Sequence, residues 1–165
     1  KSGWVAALLK RNHDAWGCDG EMPRARMDTT VLYAAAYRRD AAHEEGLAIL
    51  RGVDTADLPE AVVLDYVLAE TLNGLTTHAG HEAAVDFLDR IEENARFHIE
   101  SLTADGRATA KAEFRGYEAF SFVDACLSAY LQAEELDYLY AFDDDFDVAG
   151  HISRLDTVTN PYQPS

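Results

Sequence analysis

Lysine is scarce in this chain of 165 residues: three (Lys1, Lys10, Lys111) stand beside eleven arginines, and 14 basic residues in all face 30 acidic ones, for a net charge of −16. That balance excludes an ordinary basic reader of duplex DNA and a surface built to sit on anionic lipid. Cysteine is scarcer still. Cys18 and Cys126 supply neither a disulfide framework nor a zinc-ligand spacing, and Cys126, in an apolar helical stretch, reads as core packing. Apolar runs such as Trp4–Leu9 fall far short of the roughly 20 residues of a membrane span. With no recognisable signal peptide, a cytoplasmic location is expected. There is no His-Glu-x-x-His, no phosphate-cradling or dinucleotide glycine loop, no Cys-x-x-Cys and no serine elbow. Asp143-x-Asp145-x-Asp147 imitates a calcium loop, but Val148 occupies its glycine position and Arg154 its bidentate glutamate. His78 and His81 are expected at the surface.

What is present is ample apolar material. Hydrophobic residues make up 48% of the chain, too many for a disordered acidic tail, and the length suits one domain. High acid, scarce lysine and abundant alanine resemble the proteins of salt-accumulating organisms, in which dissolved salt screens self-repulsion. Residues 1–21 fit the remainder poorly and are expected to be an N-terminal extension, with Met22-Pro23 a candidate start. The domain then covers residues 22–156, and 157–165 form a loosely held tail.

Within the domain, short apolar runs alternate with helical patterns. Strands are expected at Arg24–Met27, Ala61–Leu64, Arg96–Leu102 and Tyr138–Phe142. In the third, Phe97 and Ile99 alternate with His98 and Glu100 as in a strand with one buried face. Helices are expected over Val31–Tyr37, Asp40–Leu50, Tyr66–Thr77, Glu82–Asn94, Ala104–Arg115 (with a break near Gly106) and from Ser121 to about Glu135. The last opens on a Ser-Phe-Val-Asp capping box. Strands separated by helices predict an α/β domain of three layers, a central parallel sheet flanked by helices.

In such sheets ligands bind outside the carboxyl ends of the strands. Asp28 and Asp143 end the first and last strands, Glu70 lies early in the helix after the second, and Asp124 lies in the first turn of the helix from Ser121. Four carboxylates brought together cannot all stay ionised without a cation among them, and an oxygen-only set favours Mg²⁺ or Mn²⁺ over Zn²⁺. Three of the acids also have a plain explanation: Asp124 as a capping residue, Asp143 and its neighbours as a solvated loop, Glu70 as a surface acid; only Asp28, between a strand and an apolar helix, is awkward without a function. The convergence is what points to a site.

At these residues the chain from about 25 to 156 resembles a PIN domain, specifically the single-domain toxin ribonucleases of VapC type. The similarity rests on Met27-Asp28-Thr29-Thr30, on Ala69-Glu70-Thr71-Leu72 opening a helix, on Ser121-Phe122-Val123-Asp124-Ala125, and on Phe142-Asp143-Asp144-Asp145-Phe146. Ala141 stands where the family pattern commonly has a hydroxyl residue. The resemblance implies a three-layer PIN-like fold and a metal-dependent endoribonuclease. Asp28, Glu70, Asp124 and Asp143 would be its catalytic and Mg²⁺- or Mn²⁺-holding residues, with Asp145 able to share the role of Asp143. Asp28 and Asp124 would be direct ligands, Glu70 or Asp143 would take the proton of the attacking water, and Thr30 and Ser121 would supply supporting hydroxyls. It further implies an RNA substrate, a small cognate antitoxin whose extended segment covers the active edge, and a homodimer. Arg24, Arg26, Arg38, Arg39 and Arg115 are candidates to line an RNA path, though no nucleic-acid-binding residue is singled out. A ribosomal-RNA-processing nuclease and a non-catalytic PIN-like partner-binding domain are the alternatives.

Overall fold

A computed structural model describes residues 22–163 of the chain. The expected N-terminal extension, Cys18 and the Trp4–Leu9 run therefore lie outside the described residues. Five parallel strands form the central sheet: β1 (Arg24–Met27), β2 (Glu60–Leu64), β3 (Phe97–Glu100), β4 (Tyr138–Tyr140) and β5 (Ser153–Leu155), in the order β3-β2-β1-β4-β5. Six helices flank it: α1 (Thr29–Ala36), α2 (His43–Asp54), α3 (Asp65–Ala79), α4 (His81–Glu93), α5 (Ala104–Gly116) and α6 (Phe122–Ala133). This is the three-layer α/β arrangement expected from the alternation of strands and helices. The chain moves outward from β1 to β2 and β3, then returns to lay β4 on the other side of β1. That reversal opens a crevice between the carboxyl ends of β1 and β4.

Local chemistry explains most of the elements. The apolar run Ala61–Leu64 is wholly buried, as a central parallel strand must be. Thr103 caps α5 through Gly106 N–H, and the Ser121–Asp124 capping box opens α6. From Ala125 to Leu131 every residue of α6 is buried, Cys126 included, because the helix is enclosed between the sheet and α5. The buried Ser128 hydroxyl meets Glu113 at 3.0 Å and His151 Nε2 at 3.1 Å, and the Tyr130 hydroxyl donates to Glu100, so neither is left unsatisfied.

The structure corrects several expectations. Strand β5 adds to the expected set; its three residues are too few to show a period. Ile99 is exposed, because β3 lies at the sheet edge and only Phe97 on that strand reaches the core. The second helix starts at His43 rather than Asp40, whose carboxylate instead closes a turn by accepting from Ala42 N–H at 2.8 Å. Helix α5 runs unbroken through Gly106, which is buried against Leu102. The tail is not loose as far as residue 163. The Tyr162 hydroxyl donates to Arg24 O at 3.0 Å, Asn160 to Asp57 O at 2.9 Å, and the Tyr140 hydroxyl to Thr159 O at 2.6 Å.

Candidate active site

A cleft of about 370 Å³ lies at the β1/β4 crevice, lined by Asp28, Glu70, Asp124, Asp143 and Asp145 together with Thr29, Thr30, Tyr33, Gly74, Ala119 and Ser121. The sequence places Asp28, Glu70, Asp124 and Asp143 on separate elements, and each is held by a hydrogen bond. Asp28 ends β1 and caps α1, its Oδ2 accepting from Thr30 N–H at 3.1 Å and from the Thr30 hydroxyl at 2.6 Å. The same hydroxyl accepts from Phe142 N–H at 3.0 Å, so Thr30 joins the ends of β1 and β4. Asp124 is held by the capping box: its Oδ2 accepts from Ser121 N–H at 2.7 Å. Glu70, on the second turn of α3, accepts from the Thr29 hydroxyl at 2.6 Å. Asp143 caps the short 3₁₀ turn Asp144–Val148 by accepting from Asp145 N–H at 3.0 Å.

The electrostatics are one-sided. Asp28 is 2% exposed, and burial lifts its carboxyl to about 6; the Thr30 hydrogen bonds oppose that rise and the charge of Asp124 adds to it. Asp124 is also raised, first by burial and further by the charges of Asp143 and Glu70. Asp145 is raised chiefly by the charge of Asp143. Among the described residues no lysine, arginine or histidine lines the cleft to offset them. A dense set of oxygen donors with no fixed counter-charge fits a hard divalent cation, Mg²⁺ or Mn²⁺.

The tightest grouping differs from the expected one. Asp143, Asp144 and Asp145 bring one carboxylate oxygen each within 4.8 Å of one another. Three consecutive acids in one tight turn crowd for that reason alone, and Asp144 is exposed and does not line the cleft. Asp28, Glu70 and Asp124 share the cleft with Asp143 without belonging to that group.

A family model for the PIN domain matches residues 27–152. The chain belongs to the PIN-domain family. Among solved structures, VapC20 of Mycobacterium tuberculosis, described as a sarcin–ricin loop cleaving toxin, aligns with a TM-score of 0.67 at 28% identity, over 76% of this chain and 95% of that one. The VapBC2 structure from Rickettsia felis, bound to a DNA fragment from its promoter, aligns with a TM-score of 0.62 at 14% identity, over 81% and 98% of the two chains. A toxin–antitoxin complex from Klebsiella pneumoniae aligns with a TM-score of 0.55 at 18% identity, over 82% and 98%. The last two likenesses speak to the fold alone. None of the curated proteins matches the chain by sequence.

The PIN fold thus brings Asp28, Glu70, Asp124, Asp143, Asp145, Thr30 and Ser121 to one cleft. It does not bring the arginines named from the sequence. Arg26 is buried beneath the Tyr130 ring, 4.6 Å from its centroid, and cannot line a path for RNA. Arg24 pairs with Glu100 at 3.4 Å, and Arg38, Arg39 and Arg115 are exposed away from the cleft lining. Four lining residues, Thr29, Tyr33, Gly74 and Ala119, are not singled out by a reading of the sequence. Thr29 is legible there only as the hydroxyl next to Asp28. Tyr33 reads in sequence only as an apolar residue of a helix. Ala141 is fully buried, and the backbone after it is held by Thr30 through Phe142 N–H, so a hydroxyl at 141 is not what ties this loop to Asp28.

Proposed function

We propose that this PIN-domain chain is a divalent-metal-dependent endoribonuclease and the toxin of a toxin–antitoxin pair. The observation that carries the reading is the convergence of Asp28, Glu70, Asp124 and Asp143, from four separate elements, in one cleft whose described lining has no basic side chain. The family match and the 28% identity to a toxin described as cleaving the sarcin–ricin loop support it, as do fold relatives that are toxin–antitoxin assemblies.

In this reading Asp28 and Asp124 would hold Mg²⁺ or Mn²⁺ directly, with Glu70 and Asp143 completing the set and Asp145 beside Asp143. An ion held there would acidify a water and neutralise charge on the phosphate oxygens. Thr30 and Ser121 hold the two direct ligands in place, and Thr29 does the same for Glu70. The proton of the attacking water passes to Glu70 or Asp143, both exposed enough to release it to solvent. The substrate is RNA, and a small cognate antitoxin whose extended segment covers the cleft is the natural inhibitor. A homodimer in the cytoplasm is the working form.

Cleavage of RNA by the purified protein with Mn²⁺ or Mg²⁺, and its loss on adding EDTA, tests the activity. Asp28→Asn should lower turnover by more than about 100-fold, beyond the usual cost of losing a supporting residue around a metal. Full metal-dependent cleavage by that variant would end this site assignment, and an inert wild-type protein would leave a partner-binding role.

A further inference from the structure

The cleft raises a problem of affinity. Among the described residues its lining holds no lysine, arginine or histidine, and the chain as a whole carries a charge of −16, so no basic side chain of that lining anchors a phosphate. What the described lining does hold is one aromatic ring. Tyr33 sits on α1, one turn after the Asp28 cap, and lines the same cleft as the carboxylates.

That ring is mounted firmly. It packs on Gly74 of α3, where a Cβ would come within 3.1 Å of the ring carbon Cε2, so only glycine lets it lie so close to that helix. Tyr37 stands behind it with ring centroids 5.4 Å apart, and the His78 ring meets it edge-on at 6.0 Å and 80°. His78 is fixed in turn, its Nδ1 donating to Gly74 O at 2.9 Å. A half-buried ring clamped by two neighbours loses little freedom on binding, and a π face attracts any nucleobase without needing charge.

We infer that Tyr33, backed by Tyr37 and His78, is the platform on which an unpaired nucleobase next to the scissile phosphate stacks. This rests on the nuclease reading of the cleft and adds to it a positioning residue. Stacking also suits an acidic protein, since it survives salt that would screen an electrostatic grip. A duplex keeps its bases stacked on one another and offers none to the ring.

The test uses the full chain with Mn²⁺ and a single-stranded RNA oligonucleotide cut at a mapped bond. Tyr33→Leu, which removes the π face but keeps apolar bulk on Gly74, should raise KM by about 5- to 150-fold, more than it lowers kcat, matching one stacked base. Tyr33→Phe should retain the wild-type KM, and melting curves establish that both variants are folded. With wild-type protein, an abasic nucleotide at one position flanking the cut should raise KM by a similar factor, and combining it with Tyr33→Leu should add little more. Unchanged KM in Tyr33→Leu, equal damage in Tyr33→Phe, or indifference to abasic substitution at every flanking position overturns the stacking role while leaving the nuclease standing. A wild-type protein that cleaves no RNA overturns both.

Discussion

At the scale of single residues, burial and charge work against each other in Asp28. Its carboxyl is 2% exposed and titrates at about 6 in the fold, against 3.8 for the free group, because burial disfavours the anion. The folded state therefore keeps the proton longer than the unfolded one. The resulting penalty on stability is absent below about pH 4, grows from there to about pH 6 and is complete above it. A rise of that size corresponds to at most about 3 kcal/mol in the metal-free protein. Asp28→Asn keeps the shape and an acceptor for Thr30 but not the charge. In EDTA at about pH 7.5 it should melt several degrees above wild type, an advantage that disappears by about pH 4. Added Mn²⁺ should raise the melting point of wild type alone. A variant melting below wild type at neutral pH would contradict this account. Arg26 poses the opposite case: Nε and Nη1 are buried without a partner, and burial lowers its pKa to about 10. Glu100 keeps Arg24 and the Tyr130 hydroxyl if Arg26 is replaced. Arg26→Met should therefore change stability by less than about 1 kcal/mol, or raise it, in urea titrations. Asp28 is legible in the sequence because it is an acid set between an apolar strand and an apolar helix, at a strand end where its one structural use is to cap that helix. Arg26 is not, since an arginine in a four-residue strand looks like a surface residue until a helix is packed over it.

At the scale of elements, the site depends on how closely α1 approaches its neighbours. Gly46 of α2 faces α1 so tightly that a Cβ would stand 2.8 Å from Ala35 N and 3.0 Å from Val31 O. Those are backbone atoms and cannot swing aside. Gly46→Ala should push α1, and with it Asp28 and Tyr33, off its seat, at a cost of about 1–3 kcal/mol. At Gly116, at the end of α5, an added methyl would meet nothing within 4 Å, so Gly116→Ala should be neutral or stabilising by up to about 1 kcal/mol. The denaturant midpoint should fall for Gly46→Ala and hold or rise for Gly116→Ala. Which elements the sequence discloses follows the same local logic. Thr103 and the Ser121–Asp124 box announce α5 and α6 because a cap is made by residues three apart. The order of the strands is not local, and both Ile99 on the edge and the added strand β5 follow from that order. The four acids can be read as converging because strand ends are predictable. Tyr33 cannot, because its place in the cleft depends on a glycine forty-one residues away.

At the scale of the whole molecule, 30 acids share 14 lysines and arginines, and the ion pairs among the described residues use Arg24, Arg96, Arg154 and His98. Most carboxylates are therefore unpaired and repel one another across the surface. The range of that repulsion shrinks from about 10 Å at 0.1 M salt to about 3 Å at 1 M. The melting temperature should thus climb as KCl rises from about 0.05 to 1 M, unlike that of a fold held by surface ion pairs. Activity should follow an unusual course for a protein acting on a polyanion. A basic binding groove releases counterions when it binds, and its affinity falls steeply with salt, by close to one power of salt concentration per phosphate contact. Among the described residues this cleft offers no basic side chain for such contacts. Its log KM against log KCl should therefore be nearly flat, with cleavage persisting at about 1 M KCl and fixed Mn²⁺. Both curves come from the same preparation, melting by fluorescence and cleavage by initial rates. A rising melting temperature with a steep loss of affinity would mean that basic residues outside the cleft hold the RNA; a falling melting temperature would mean that the acidic surface is not suited to high salt.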